Sequence, residues 1–475
     1  MTIRWTRLHI CLALIAVCAF LLLGWACRIY AQGGEPRYFA ITNARIVPVS
    51  GPPIESGTVV IAKGLIQAVG SNVAIPPEAW VIDGKGLTVY PGFIDAGTDL
   101  GLAKPEGTDE AAARARGRQP AAPPPPAEIS IGREDRPATT PWRVAADEIK
   151  IDDKRIESWR NAGFTTTLTS PDTGFFPGQG SVIDLAGDRS GEMVVKPAAT
   201  LPISFKPRAS FFLFPGSLMG SIAYVRQVFD DASWYSEAQP VYDANPSKFE
   251  RPAYDRTQET IHHTRERDEL VLLPANTSIQ ILRALRLADE WKIRAALLGG
   301  QEGYALAEAI AAKKTPVLVN LKWPERAKDS DPEQEQPLRE LRFRDRAPST
   351  PAALAKAGVK FGFYSGGLEE PKEIFKSMRK AIDAGLAPDA ALRAFTLDAA
   401  DILGVSGRLG SIQPGKIANL VIADGDLWNE KTKVRHVFVD GRWFEVHEPP
   451  PEEKPEEKKP ERTAGSGSGI GGGGL

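Results

Sequence analysis

The chain has 475 residues, more than one small hydrophobic core can use, so one large domain and a smaller one are expected. Charged residues make up 25% of the sequence, hydrophobic residues make up 42%, and the formal net charge is −2. This balance is typical of a globular protein and excludes the strongly basic surface of a nucleic-acid-binding protein.

The first 31 residues have the pattern of a secretory signal peptide. Arg4 and Arg7 precede an apolar run at residues 10–27, and Ala31 offers a cleavage position. The run is barely long enough to span a bilayer, so a retained N-terminal anchor is the alternative. In both cases we expect the body of the protein to be exported, to the periplasm or outside the cell. Membrane attachment is expected only where residues 10–27 are retained.

All three cysteines of the chain lie in this N-terminal segment. They are Cys11, Cys18 and Cys27. The mature chain therefore offers no disulfide, no thiol nucleophile and no cysteine-based zinc site.

The next part of the chain is rich in strands. Residues 38–49 and 57–70 carry many β-branched side chains, which favours strands, and a third short strand is predicted at 91–96. Residues 101–140 are rich in alanine, proline, arginine and glutamate and follow no sustained period. They predict a long irregular loop.

Helices and strands then alternate. In residues 278–291, for example, Ile279, Leu282, Leu285 and Ala288 recur at helical spacing. Helices are predicted at 152–162, 217–232, 278–291, 303–312, 351–357 and 370–384, and strands at 164–170, 201–205, 269–273, 293–298, 316–321 and 361–364. Such alternation predicts a parallel sheet, and about eight strands would close it into a barrel.

Strands return at the end of the chain, at 419–423 and at 434–445 around an Asp-Gly turn. The sequence therefore predicts an α/β protein with two domains. Residues 91–406 form a TIM-like (β/α)8 barrel, and residues 37–90 with 407–447 form a small β-sandwich built from both chain ends. Residues 448–475 are rich in proline, glutamate, lysine and glycine and are expected to be disordered.

Three stretches of this chain resemble the amidohydrolase superfamily, in particular its imidazolonepropionase-like and prolidase-like branch. They are VIDGKGLTVYPGFIDA, LLPANTSIQILRALRLADEW and TLDAADILGVSGRLGSIQPGKIANLVIADGDL. The resemblance implies a barrel enzyme that hydrolyses C–N bonds other than ordinary peptide bonds. It also implies zinc or another divalent metal, held at the carboxyl-terminal mouth of the barrel by imidazoles and a carboxylate.

The residues that the resemblance assigns to the metal are replaced. The family pattern after the first barrel strand is IDAHTHL, but this chain has Gly97 and Asp99 in place of the two histidines. Pro274 stands in place of a histidine after the fifth strand, Gly299 in place of one after the sixth, and Gly366 in place of the aspartate after the eighth. Glycine and proline offer no ligand, so the resemblance implies a vacated metal site, and no cofactor is expected.

The remaining polar residues give no substitute site. Of the 5 histidines, only His262 and His263 are neighbours, and adjacent side chains on a helix point about 100° apart, so we interpret them as a surface pair. Four residues near the predicted mouth are candidates for a pocket: Asp95, Asn276, Glu302 and Ser365. For the two acids among them, a structural hydrogen bond or a charge at a helix start is the alternative.

The sequence leaves three hypotheses open. The first is an exported amidohydrolase-like pseudoenzyme that acts as a scaffold, or as the partner of an active relative in a homo- or hetero-oligomer. The second is an active C–N hydrolase whose site is rebuilt or completed by a partner. The third is a periplasmic binding protein that holds a small molecule in the vacated pocket.

Overall fold

The computed structural model describes residues 38–103, 136–206, 214–326, 331 and 333–446. The predicted signal segment, most of the predicted loop at 101–140 and the predicted tail lie outside these residues. No helix within the described ranges is both long and apolar enough to cross a bilayer.

The described strands are β1 (Tyr38–Ile46), β2 (Ile54–Ala62), β3 (Leu65–Gly70), β4 (Trp80–Asp83), β5 (Thr88–Pro91), β6 (Phe93–Thr98), β7 (Phe164–Thr169), β8 (Gly180–Asp184), β9 (Val194–Pro202), β10 (Leu270–Ala275), β11 (Ala295–Gly299), β12 (Val317–Asn320), β13 (Phe361–Tyr364), β14 (Leu420–Ala423), β15 (Val434–Val439) and β16 (Arg442–Glu445). The described helices are α1 (Arg155–Asn161), α2 (Ser190–Met193), α3 (Leu218–Ala244), α4 (Arg256–Glu266), α5 (Ser278–Trp291), α6 (Ala307–Ala312), α7 (Leu338–Arg346), α8 (Thr350–Lys356), α9 (Pro371–Asp383), α10 (Pro388–Phe395) and α11 (Leu397–Leu403). Short 3₁₀ turns occupy Ala145–Glu148, Gly303–Ala305 and Ala347–Ser349.

Strands from both ends of the described chain form one sheet, in the order β16-β15-β14-β5-β1-β2-β3, with β4 beside β1. Strand β14 pairs antiparallel with β5, which joins the two ends of the chain. The predicted second β domain is thus confirmed. Strands β4 and β5 were not predicted. Residues 57–70 also do not form one strand, because Lys63 and Gly64 both have positive φ and turn the chain into the β2–β3 hairpin.

The second sheet is the barrel, with strands in the order β13-β12-β11-β10-β9-β8-β7-β6. It is nearly closed, and the predicted TIM-like fold is confirmed. The sheet is not parallel throughout, because β8 runs antiparallel to both β7 and β9. The links on either side of β8 contain no full crossover helix, and so short a connection can only reverse the chain direction. The sequence prediction missed β8 and the start of β9.

Apolar side chains fill the inside of the barrel and close its lower end. One buried cluster takes residues from β6 to β12 and from α11, and Tyr364 of β13 packs against it. The last carbonyls of α11 accept hydrogen bonds from residues at the amino ends of strands: Leu403 from Lys196 Nζ at 3.1 Å and Ile402 from Arg294 Nη2 at 3.1 Å. Helix α11 therefore covers the amino-terminal end of the barrel and leaves the carboxyl-terminal end as the mouth.

Helix α5 has the predicted bounds but a different buried face. The predicted apolar row included Ile279 and Leu282, yet these side chains are 61% and 52% exposed. Ile281, Ala284 and Leu287 are buried instead. Apolar residues occur on both faces of this helix, so periodicity alone could not select the one that packs on the barrel.

Candidate functional site

A cavity of about 620 Å³ opens at the carboxyl ends of the barrel strands. Its floor is apolar and is made by side chains from four strands. They are Leu168, Leu272, Leu298 and Tyr364. Its rim is mostly acidic or hydroxylic and includes Thr98, Asp99, Ser170, Asp172, Ser365, Glu369 and Glu370. This end of the barrel is where sites of TIM-barrel enzymes lie.

Gly97 lies against the ring of Tyr364. A Cβ atom on Gly97 would be 3.2 Å from Cδ2 and 3.3 Å from Cβ of Tyr364. A side chain at residue 97 would therefore require the tyrosine ring to shift by a few tenths of an ångström. Burial raises the pKa of the Tyr364 phenol, the charge of Asp95 raises it further, and a hydrogen bond with Asn320 opposes the rise. The group beside Gly97 is thus a neutral phenol.

Asp99 forms an ion pair on the rim of the cavity. Nη1 of Arg155 lies 2.7 Å from Oδ1 of Asp99, and Nη2 of Arg155 donates to the Asp99 carbonyl at 3.1 Å. The same guanidinium forms a second ion pair, with 2.7 Å between Nη2 of Arg155 and Oδ2 of Asp153. Asp99 therefore fixes the loop after β6 to the start of α1.

Asp95 joins the two strands at the ends of the barrel sheet. The side chain is 1% exposed. Its Oδ1 accepts from the backbone N–H of Ser365 at 3.0 Å and of Gly97 at 3.3 Å, and its Oδ2 accepts from Nε1 of Trp159 at 3.3 Å. Burial raises the pKa of Asp95 to about 6, and these donors limit the rise. Asp95 lies outside the cavity lining and closes the barrel between β6 and β13.

Two of the positions that the resemblance assigns to metal ligands have backbone conformations that favour glycine. Gly299 has φ +118° and Gly366 has φ +53°. A Cβ atom on Gly299 would be 3.1 Å from Oδ1 of Asn276, and one on Gly366 would overlap the side-chain amide of Asn320. Pro274, the fifth vacated position, pairs with Leu298 inside the β10–β11 ladder and lies outside the lining.

The tops of β10, β11 and β12 are joined by amide side chains. Asn276 Nδ2 donates to Gln301 Oε1 at 3.2 Å, and Gln301 Nε2 donates to the carbonyls of Asn320 at 3.2 Å and Lys322 at 2.7 Å. Glu302 accepts from the backbone N–H of Ser278 at 2.6 Å and so caps the start of α5. Asn276 and Glu302 are therefore structural residues outside the cavity lining.

Of the four candidate pocket residues, only Ser365 lines the cavity. The vacated positions Gly97, Asp99 and Gly366 also line it. The leucine floor and Tyr364 were missed by the sequence prediction. The signal was an apolar residue near the carboxyl end of each strand, but which face it occupies depends on local strand register.

The described residues contain one group of three side chains that could share a metal ion, and it lies on α4, not at the mouth. It consists of His262, His263 and Glu266, whose ligand atoms lie within 4.8 Å of one another. The interpretation of the histidines as a surface pair agrees with their side-chain exposures of 28% and 40%, but each histidine also lies within 3.4 Å of a glutamate carboxylate. Each is one helical turn from a glutamate, and residues four apart on a helix are neighbours.

The mouth does not fit the divalent metal that the fold family implies. Zinc and related ions need several imidazole, thiolate or carboxylate ligands on one point. The floor of the mouth consists of leucines and a tyrosine ring, and Asp95 and Asp99 are held by other partners. The rim acids Asp172, Glu369 and Glu370 belong to no group of three possible ligands among the described residues.

Comparison with known proteins points to the same fold. A profile described as Amidohydrolase family matches residues 301–444, a range that contains Gly366 but none of the other four vacated positions. No curated protein matches the sequence.

Solved structures give longer matches. An amidohydrolase from Thermotoga maritima MSB8 is similar over 86% of this chain and 100% of its own, with a TM-score of 0.69 and 25% identity. A prolidase in complex with N-methylphosphonate-L-proline is similar over 86% of this chain and 99% of its own, with a TM-score of 0.51 and 20% identity. A Xaa-Pro dipeptidase with bound methionine matches 86% of this chain and 100% of its own, at a TM-score of 0.51 and 16% identity. The last two show a shared fold only.

Proposed function

We propose that this protein has a hydrolase-like fold without metal-dependent catalysis and that it binds a small organic molecule in the mouth cavity. The observation that carries the proposal is the cavity itself, about 620 Å³ with an apolar floor where the fold family keeps its metal. A volume of this size is within the range of small-molecule sites. Metal-dependent hydrolysis needs a metal-activated water, and the leucines and the tyrosine of the floor include no imidazole or carboxylate that could hold the metal.

The lining favours a ligand that is partly apolar and positively charged. Leu272 and Leu298 offer contact with a hydrocarbon or aromatic body. Asp172, Glu369 and Glu370 add negative charge to the rim, while Arg155, a cation of the lining, is already paired with Asp99 and Asp153. An amine with an apolar body fits this combination better than a carboxylate does.

The experiment is a thermal-shift screen with matched probes. Phenethylamine and tryptamine are compared with 2-phenylethanol and indole-3-acetate, and hits are measured by calorimetry. We expect stabilisation by amines and little by their neutral or anionic counterparts. The Leu298→Trp variant, which fills the floor, should lose the effect. The control Leu338→Trp changes an exposed leucine on α7, outside the cavity, and should keep it.

Failure of every probe to stabilise the wild-type protein, or equal stabilisation of the Leu298→Trp variant, would contradict ligand binding at the mouth. Turnover of a dipeptide or cyclic amide that a chelator abolishes would contradict the loss of metal-dependent catalysis.

The scaffold or partner role is the second candidate. It is favoured by the apolar face of α5 that carries Ile279 and Leu282, 61% and 52% exposed, because contiguous exposed apolar surface often marks an interaction site. Sedimentation of the purified protein separates an assembled scaffold from a monomeric binding protein. Export belongs to the proposal as well, on the strength of residues 10–27.

A further inference from the structure

We propose that helix α4 carries a zinc site formed by His262, His263 and Glu266, separate from the barrel mouth. The site is independent of the proposed ligand cavity. A transition metal of similar preference, such as Ni²⁺, Co²⁺ or Cu²⁺, would suit the same two imidazoles and carboxylate.

The separation of each histidine from Glu266 is close to that of two ligands on one metal ion. Nε2 of His262 lies 3.4 Å from Oε1 of Glu266, and Nδ1 of His263 lies 3.3 Å from Oε2 of Glu266. Two ligand atoms on a tetrahedral zinc ion, each at about 2.0–2.2 Å from the metal, lie about 3.3–3.5 Å apart. Small side-chain rotations would bring all three ligand atoms onto one ion, since they already lie within 4.8 Å of one another.

A second observation concerns the other ring nitrogen of His263. Its Nε2 lies 3.0 Å from Oε1 of Glu259, and Oε2 of Glu259 accepts a hydrogen bond from the hydroxyl of Tyr235 at 3.1 Å. Tyr235 is 6% exposed, so its position is fixed by packing. With Nε2 protonated toward Glu259, the free lone pair of His263 is on Nδ1, which faces Glu266. This carboxylate–histidine arrangement is how proteins commonly orient a metal-bound imidazole.

The site is open to solvent. The side chains of His262, His263 and Glu266 are 28%, 40% and 56% exposed. An ion can therefore reach them without any opening of the fold, and water can complete its coordination. All three ligands lie on one helix, so the bound ion would stabilise the last turn of α4.

The test is a calorimetric titration of the tag-free, chelator-treated full chain with ZnCl₂. We expect one equivalent of zinc, lost in a His262→Asn/His263→Asn variant. The Glu259→Gln variant keeps all three ligands but loses the carboxylate that orients His263, and we expect its zinc affinity to fall about tenfold. Cobalt substitution adds a visible spectrum whose intensity reports tetrahedral coordination.

A matched control is His436→Asn. His436 lies on β15, next to Trp443 of β16, and its replacement should leave zinc binding unchanged. Should the double variant fail to fold, Glu266→Gln serves in its place and should also weaken binding. The proposal is overturned if the wild-type chain binds no zinc, or if the His262→Asn/His263→Asn or Glu266→Gln variant binds it as the wild type does.

Discussion

Replacing Gly366 with aspartate is expected to lower the free energy of unfolding by about 2–4 kcal/mol. The amidohydrolase resemblance places an aspartate at this position. Gly366 has φ +53°, and a Cβ atom there would overlap the amide of Asn320. Asn320 cannot turn away freely, because its Oδ1 accepts from the backbone N–H of Lys322 at 2.7 Å. Urea unfolding measures the loss.

A double-mutant cycle with Asn320→Ala separates the overlap from backbone strain. In the Asn320→Ala background the aspartate has room, so Gly366→Asp should cost at least about 1 kcal/mol less than in the wild-type chain. An aspartate that is accepted at residue 366 without loss of stability would mean that the position does not require glycine.

Replacing Asp184 with asparagine is expected to raise the free energy of unfolding at pH 8 by about 2–4 kcal/mol. Asp184 is 3% exposed, between the barrel and the second domain. Thr166 Oγ1 and Asn419 Nδ2 both donate to its Oδ1, at 2.7 Å and 2.8 Å. An asparagine can keep both hydrogen bonds on its carbonyl oxygen while it removes the buried charge.

The pH dependence follows from the shifted pKa. Burial raises the pKa of Asp184 to about 7, the charge of Asp440 raises it further, and the two hydrogen bonds oppose the rise. The unfolded chain releases this proton near pH 3.8, the ordinary value for aspartate. Between these values the native state binds more protons, so stability is highest below the lower value and falls as pH rises through about 7. The advantage of the Asp184→Asn variant should therefore shrink between pH 8 and pH 5.

The control for this experiment is Asp188→Asn. Asp188 is an exposed acid that pairs with Arg442 at 2.9 Å, and its pKa is lowered by this hydrogen bond and ion pair. Its replacement should not stabilise the protein at pH 8. An Asp184→Asn variant that is less stable than the wild type at pH 8 would show that the carboxylate is satisfied in its ionised form.

Much of the fold could be predicted because local signals and tertiary packing agree. The bounds of α5 and β13 match the predicted ranges, and α5 begins with a capping box between Thr277 and Gln280. Strand β8 was missed because all five of its residues are buried, so the alternation that reveals a strand is absent.

For the candidate site, the resemblance could indicate which positions differ from the family pattern, but the sequence could not show what occupies the space there. Gly97 is informative on its own, whereas the contact that fills its space comes from Tyr364, 267 positions later in the chain. The group of His262, His263 and Glu266 on α4 could have been predicted from the sequence. Glu259 with His263, and His262 with Glu266, are pairs four residues apart, and helical geometry makes such pairs neighbours.

The most direct test of the account is the zinc content of the His262→Asn/His263→Asn variant after incubation with zinc and removal of the excess, measured by plasma mass spectrometry. This variant lacks the proposed site on α4, so any metal that remains must be held elsewhere, with the mouth as the first place to look. We predict no stoichiometric zinc. One or two equivalents would contradict the account, because a second metal site would then exist, and metal-dependent hydrolysis at the mouth would become the first hypothesis to test.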